Sequence, residues 1–153
     1  AKSVGYFPNI ILSGRKINDN MGNYVASEFI KELKNNNIQI KGSKILIMGL
    51  TFKENCSDVR NSGVKNVIEK LKKHNCKLDL YDPWADKEEI KKLYGVTTNS
   101  SLNHNTYDGI IIAVAHKKFK EMGETEILNL CKEKNVIYDL KYLFSKDKFS
   151  LRL

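Results

Sequence analysis

The first part of the chain carries apolar residues at the spacing of a helix. Between residues 14 and 36 they recur every three to five positions, which is typical of one face of a long helix. Three asparagines at 35–37 and a turn at 41–42 mark its end. Two arrangements remain open: the helix packs on its own domain, or it links two domains or builds a dimer. The apolar face consists of Ile17, Met21, Tyr24, Val25, Phe29 and Leu33.

From residue 44 onward, short apolar runs alternate with amphipathic segments. The runs suit strands that are buried on both faces of a sheet, and the segments between them have helical spacing. Strands are predicted at 45–48, 78–81, 109–114 and 136–138, and helices at 64–71, 86–94, 119–122 and 124–131. The helix residues expected to face the core are Val64, Val67, Ile68, Leu71, Ile90, Leu93, Ile127, Leu128 and Cys131, and Asn61 or Ser62 is expected to cap the first helix.

Alternation of strands and helices requires a parallel sheet that is covered on both faces. The predicted fold class is therefore α/β, a Rossmann-like doubly wound parallel sheet preceded by a long helix. In this interpretation residues 1–41 form the helical segment and residues 42–153 the sheet domain. The polar tail from Ser145 is expected to be partly disordered.

Ligands of doubly wound sheets bind at the carboxyl ends of the strands, where the strand order reverses. The first predicted strand ends at Gly49, and the loop that follows, 50–61, is longer than the usual connection of about two to six residues. Lys53 and Arg60 lie in this loop ahead of a helix start, and such cations bind phosphate oxygens well. Phe52 offers an apolar surface to a base or a sugar.

The same turn lacks the glycine-rich fingerprint of dinucleotide-binding folds. That fingerprint needs several glycines in the first strand-to-helix turn, and here Gly49 stands alone. Phosphate binding would therefore depend on side-chain cations rather than on close approach of the backbone. Asp82 follows the second strand, either as a ribose-binding acid or simply as the turn residue before Pro83.

Composition narrows the class of protein. The chain has 153 residues, of which 41% are hydrophobic and 29% charged, an ordinary globular balance. No apolar run is long enough to span a membrane, and the first residues have no secretory signal pattern, so no membrane partner is expected. Three cysteines cannot all pair with one another, which favours a reducing cytoplasm.

The formal charge of +8, from 26 Lys and Arg against 18 Asp and Glu, favours an anionic partner. A basic nucleic-acid-binding α/β domain is one alternative, but the lysines are interleaved with acids and form no basic stripe with aromatic residues. No pair of His or Cys motifs has structural zinc spacing, so no metal site is expected. His116 could reach the cleft after the strand at 109–114, but capping of the following helix is favoured.

Several short motifs stand out along the chain. They are GRKINDNM at 14–21, GLTFKEN at 49–55, DVRNS at 58–62, YDPW at 81–84 and AVAH at 113–116. In this order they resemble the carboxyl-terminal domain of UDP-sugar 6-dehydrogenases, and the first and last fit the branch that acts on UDP-N-acetylhexosamines. The resemblance extends from about Pro8 to Phe144, nearly the whole chain.

This resemblance implies a two-domain enzyme. An amino-terminal Rossmann domain binds NAD and holds the catalytic cysteine, and the carboxyl-terminal domain binds the UDP part of the substrate. The enzyme oxidises the C6 alcohol of the sugar to a carboxylate in two hydride transfers to NAD, for bacterial polysaccharide precursor synthesis. The chain would be the UDP-binding domain at 42–153 with a central linking or dimerisation helix at 1–41, forming a homodimer through helix 14–36.

By position in the motifs, Phe52 and Lys53 resemble family residues that contact the UDP-sugar. Arg60 is similar to an arginine that reaches NAD across the domain interface, and Lys141 stands in a stretch where the family often has an arginine that touches the UDP diphosphate. Cys56 is not the family's catalytic cysteine, so the chain is expected to hold no catalytic residue and not to reduce NAD by itself. The other alternative is a non-catalytic nucleotide-binding or dimerisation module.

Overall fold

The apolar runs pair into one parallel sheet of five strands. The computed structural model describes residues 9–60, 62–145 and 151–153. The elements in chain order are α1 (Asn9–Asn35), β1 (Lys44–Met48), α2 (Val64–Lys73), β2 (Lys77–Tyr81), α3 (Lys87–Tyr94), β3 (Tyr107–Ile112), α4 (Lys117–Leu130), β4 (Cys131–Asp139) and β5 (Leu151–Arg152).

The strand order β2-β1-β3-β4-β5 reverses next to β1. The chain passes from β1 to β2 on one side and returns to β3 on the other, which confirms the predicted Rossmann-like, doubly wound fold. In the register of the sheet, Met48 at the end of β1 lies beside Tyr81 of β2 and Ile112 of β3. The loops after these three strands therefore emerge together, at what is called the carboxyl edge below.

The carboxyl half of α1 packs in the same core as α2 and β4. Phe29 lies against β3, where a Cβ atom at residue 109 would be only 2.5 Å from the Phe29 Cζ atom. Glycine at 109 thus lets the aromatic ring approach the strand closely. Of the two arrangements that the sequence left open, packing on its own domain holds for this half of the helix. Its buried residues are Val25, Ala26, Phe29, Ile30 and Leu33.

Two residues of the expected apolar face of α1 are not buried. Met21 and Tyr24 are 41% and 55% exposed, so the apolar face of the helix extends beyond the part that packs in the core. The stripe that repeats every four residues through Val25 and Phe29 also includes Met21, which lines an open cavity at the carboxyl edge, whereas Tyr24 points to a different side of the helix. The side chain of Ile17 lies outside the described part of the chain.

One helix and one strand differ in detail from their sequence prediction. α3 buries Ile90 and Tyr94, whereas Leu93 is 42% exposed. Tyr94 turns inward because its hydroxyl donates a hydrogen bond to the Val59 carbonyl oxygen at 3.1 Å. The two predicted helices at 119–122 and 124–131 are confirmed, because α4 consists of two helical stretches separated at Gly123 (φ 79°). β4 begins directly after α4, earlier than the predicted strand at 136–138.

The carboxyl-terminal strand β5 was not predicted. It pairs in parallel with Tyr138 and Asp139 at the end of β4, and two residues are too few to show a hydrophobic period. The tail residues 146–148 and the candidate cap Asn61 lie outside the described residues. The Oγ of Ser62 accepts the backbone N–H of Val64 at 3.3 Å. None of the described helices has the length and apolar content of a membrane span.

The carboxylate of Asp82 ties the carboxyl edge together. Its side chain is fully buried directly after β2, and it accepts hydrogen bonds from the segments that follow β1, β2 and β3. A ribose-binding acid needs a free oxygen, so the structure supports the other role weighed for Asp82, that of the turn residue. Its donors are the backbone N–H groups of Leu50 (2.6 Å), Thr51 (3.3 Å), Trp84 (2.8 Å) and Ala85 (3.0 Å) and the Nε2 atom of His116 (3.0 Å).

Burial by itself would raise the pKa of Asp82, because water no longer stabilises the charge. The hydrogen bonds from His116 and from the backbone outweigh burial, and the pKa of Asp82 is lowered below its ordinary value. A carboxyl group with a lowered pKa in the folded state stabilises the fold at pH values above its unfolded pKa. This contribution is lost as the pH falls through the folded pKa.

We expect Asp82→Asn to lower the free energy of unfolding by about 3 kcal/mol at about pH 7, since the amide loses the charge and turns an NH2 group toward N–H donors. Urea unfolding measures this difference. It should shrink below about pH 4, because the wild-type carboxylate then begins to lose its own contribution.

Glu69→Gln is the matched control, because Glu69 is a half-exposed carboxylate that forms an ion pair with Lys65 on the surface of α2. Its effect should stay within about 0.5 kcal/mol at every pH. If Asp82→Asn unfolded at the same urea concentration as the wild type, the carboxylate would not hold the edge.

Candidate functional site

An open cavity of about 510 Å³ lies at the carboxyl edge, a volume typical of small-molecule sites. Its walls come from α1, the loop after β1, the first turns of α2 and the segments after β3 and β4. These segments are distant in sequence, and the strand order brings them together. Apolar side chains that line the cavity include Val25, Val64, Val67 and Val114.

Three of the four predicted site residues, Phe52, Lys53 and Lys141, line this cavity. Phe52 is 63% exposed, and Lys53 beside it is exposed in the loop after β1. Lys141 approaches from the turn after β4, where its backbone N–H donates to Asp139 Oδ1 at 3.0 Å. The structure therefore places two lysines and one aromatic ring around the same space, although nothing in the local sequence joins the two loops.

The start of α2 adds a further feature to this wall. Gly63 and Val64, at the first turn of the helix, line the cavity, and the amino end of a helix attracts anions. Lysine ammonium groups bind phosphate oxygens as point charges. Glu54 contributes one carboxylate to the lining, so the lysines outnumber the acids there. This arrangement suits an anionic ligand that also has an apolar part.

Arg60 is not among the cavity residues. Its Nε and one terminal nitrogen donate to the two carboxylate oxygens of Asp58, both at 3.0 Å, and its side chain is 71% exposed. The hydrogen bond from Arg60 lowers the pKa of Asp58 to about 2 and raises the pKa of the guanidinium. The structure thus shows an ion pair within the loop, and a contact between Arg60 and NAD stays a prediction.

The loop after β1 closes on itself before α2 begins. The backbone N–H of Phe52 donates to the Asp58 carbonyl oxygen at 2.7 Å, and Val59 is buried in the core. Asn55 at the turn has a φ of 54°, a left-handed conformation that asparagine tolerates better than most residues. Residues 52–55 therefore project from a closed base, with Lys53 in the projecting part.

Gly49 serves packing in this fold. Its φ is 90°, and a Cβ atom there would be 2.6 Å from the Cβ of Val114 in the segment after β3. The close approach that a dinucleotide fold reserves for a pyrophosphate is thus occupied by protein. This agrees with the lone glycine in the sequence and leaves phosphate binding to side chains and to the start of α2.

The structure gives His116 a different role from the favoured one. His116 occupies the position before α4, but its side chain makes no capping hydrogen bond. Its fully buried ring instead contacts Asp82, Thr51 and Asn55. Sequence reasoning missed this because the three partners lie far from residue 116 in the chain. The only signal was the position of the histidine directly after the central strand.

Neither metal nor disulfide chemistry is present among the described residues. No group of three or more His, Cys, Asp or Glu side chains in that part of the chain is arranged to hold a metal ion. Cys56, Cys76 and Cys131 are free thiols, and burial raises the pKa of Cys131 to about 12. Buried thiols of this kind pack as small apolar groups.

The chain is similar in sequence to proteins that bind a nucleotide sugar, as expected for a cavity lined by lysines. Residues 46–146 match the profile of the UDP-glucose/GDP-mannose dehydrogenase family, UDP binding domain. The whole chain is 48% identical to a UDP-N-acetyl-D-glucosamine 6-dehydrogenase of Pseudomonas aeruginosa and 46% identical to one of Salmonella typhi. It covers 36% of the length of each, so the chain spans about a third of these relatives.

A solved structure shares the fold. The NDP-N-acetyl-D-galactosaminuronic acid dehydrogenase of Methanosarcina mazei Go1 superposes with a TM-score of 0.80 at 21% identity, over 94% of this chain and 30% of that one. At this identity the likeness shows the fold alone, and the family match rests on the sequence. The chain belongs to the UDP-glucose/GDP-mannose dehydrogenase family, and residues 46–146 are its UDP binding domain.

Proposed function

We propose that this chain is the UDP-sugar-binding part of an NAD-dependent UDP-N-acetylhexosamine, or UDP-glucose, 6-dehydrogenase that oxidises the sugar C6 hydroxyl to a carboxylate. The observation that carries the proposal is that Lys53 and Lys141, from two different loops, line one cavity together with the start of α2. The relatives' names supply the reaction class and the N-acetylhexosamine.

The chemistry of UDP matches the cavity. Its diphosphate needs cations, which Lys53 and Lys141 supply, and its uracil or sugar can cover the exposed ring of Phe52. Anchoring the nucleotide far from C6 lets remote binding energy orient the reacting carbon. In this proposal the chain binds and orients the substrate and helps to exclude water, and it contains no catalytic residue.

NAD, when bound, accepts the hydride from the sugar. This chain by itself offers little to such a cofactor, because the close approach at Gly49 is filled by Val114. Arg60 is the residue proposed to reach NAD, and its exposed guanidinium would have to share or leave its pair with Asp58. The chain alone is accordingly proposed not to reduce NAD.

The remaining parts of the proposal concern the setting of the enzyme. A cytoplasmic location is supported by the free thiols of Cys56, Cys76 and Cys131. Synthesis of polysaccharide precursors is the proposed use of the product. No nucleic-acid partner is proposed, since the positive lining of the cavity fits a small anion.

We expect the chain to bind UDP, and Lys53→Ala and Lys141→Ala each to weaken this binding about tenfold, because each removes a charge-assisted contact to phosphate. Isothermal titration calorimetry with UDP measures the dissociation constants. Uridine, which lacks the diphosphate, should bind all three proteins with the same low affinity.

Lys73→Ala is the control, because Lys73 is an exposed lysine at the far end of α2. It should leave the affinity for UDP unchanged. Equal affinity of the wild type and Lys53→Ala would remove Lys53 from the site. Salt-sensitive binding to random DNA in place of UDP would favour the nucleic-acid alternative.

A homodimer through helix 14–36 also belongs to the proposal. Tyr24 exposes a large side chain on α1, and a partner helix would bury it. We expect light scattering to give twice the mass of one chain, and Tyr24→Glu to give the mass of one. Lys31→Glu, at an exposed position on the same helix, should remain dimeric. A monomeric wild type would contradict the dimer.

A further inference from the structure

The ring of His116 links two loops at the carboxyl edge. It is fully buried at the end of the segment after β3, and every polar atom of the ring has a partner in the loop after β1 or in Asp82. The contacts are Nε2 to Asp82 Oδ2 at 3.0 Å, Nε2 to Thr51 Oγ1 at 3.2 Å, and the backbone N–H of Asn55 to Nδ1 at 3.0 Å.

These contacts determine the tautomer. A backbone N–H can only donate, so Nδ1 of His116 must be an unprotonated acceptor for Asn55. Nε2 faces the Asp82 carboxylate, which accepts, so Nε2 carries the hydrogen. The ring is therefore the neutral Nε2–H form. A second proton on Nδ1 would place two donors against each other and break the contact with Asn55.

The contacts of His116 with Thr51 and Asn55 hold the backbone on either side of Lys53. The Thr51 hydroxyl donates to the Lys53 carbonyl oxygen at 2.9 Å, and its oxygen accepts the Nε2–H of His116, which it shares with Asp82. On the other side, Asn55 is bound through its N–H to His116 and through its Oδ1 to the backbone N–H of Lys117 at 3.1 Å. The segment that carries Lys53 is thus attached at both ends to residues 116–117.

We propose that His116 is a positioning residue for substrate binding: as the neutral Nε2–H tautomer it holds residues 51–55 from both ends and so presents Lys53 to the cavity. The inference rests on the proposed UDP site and deepens it. Ordering a long loop at the moment of binding opposes binding through lost entropy, and a loop that is already held avoids this loss. His116 contributes to affinity without touching the ligand.

Two substitutions separate the two contacts of the ring. The amide of His116→Gln reaches about as far as Nε2, so it keeps a donor for Asp82 but has no acceptor at the position of Nδ1 for Asn55. Thr51→Val leaves the ring unchanged and removes the hydroxyl that connects it to Lys53. We expect each variant to bind UDP about five- to tenfold more weakly than the wild type in calorimetry.

The same substitutions in a Lys53→Ala background distinguish positioning from general destabilisation. If His116 acts through Lys53, His116→Gln should weaken UDP binding little or not at all once the ammonium is gone, because the two effects are coupled. The same fold-loss in both backgrounds, or no loss in either, would overturn the inference.

Nuclear magnetic resonance tests the hydrogen bonds of His116 in the absence of any ligand. The ring nitrogens of His116 should show the Nε2–H form, and the Asn55 amide should be protected from hydrogen exchange in the wild type and exposed in His116→Gln. A protonated or Nδ1–H ring, or an unprotected Asn55 in the wild type, would overturn the inference even if UDP binds.

The two proposals fail in different ways. No UDP binding by the wild type, together with the expected tautomer and protected Asn55, would refute the proposed function while His116 still held the loop. UDP binding that is insensitive to His116→Gln and Thr51→Val would leave the proposed function in place and refute the positioning role.

Discussion

A buried carboxylate at the meeting point of three strands organises this protein. Asp82 accepts hydrogen bonds from the loops after β1 and β2 and from the histidine that follows β3. A buried charge is tolerated only when its hydrogen-bonding capacity is filled, and here both oxygens are fully used. The requirement to satisfy one anion thereby fixes where three loops leave the sheet, and the segments after β1 and β3 form part of the wall of the candidate site.

The lysines of the site depend on aspartates of this kind. Asp139 at the end of β4 is also buried, and it accepts the backbone N–H groups of Lys141 and Phe144 at 3.0 and 3.1 Å. Lys53 and Lys141 are thus exposed side chains on turns whose backbone is held by the buried carboxylates of Asp82 and Asp139. An ordered backbone that carries lysine side chains suits recognition of a diphosphate. The ammonium groups can adjust to the ligand while the turns that carry them stay ordered.

In the proposed enzyme, binding of the nucleotide is separated from the chemistry. The sheet of this chain has the strand order of a nucleotide-binding fold, yet the turn after β1 is packed by Val114 and contains one glycine. Affinity for a nucleotide must then come from side chains and the start of α2, which is compatible with a domain that holds the nucleotide portion of a substrate. The remaining two thirds of the relatives' length leaves room for the redox half of the proposed enzyme.

The sequence by itself determined the order of strands and helices, the fold class, the family and the loop that carries Phe52 and Lys53, because apolar periodicity and short motifs are local properties. Tertiary structure decided what depends on distant partners. Lys141 lines the same cavity as Lys53, and the Asp82 carboxylate accepts hydrogen bonds from five donors. His116 is buried and does not cap the helix that follows it. The two-residue strand β5 likewise exists only because β4 offers it an edge. Hydrogen bonds between residues brought together by strand order leave no periodic trace in the chain, so only the folded molecule reveals them.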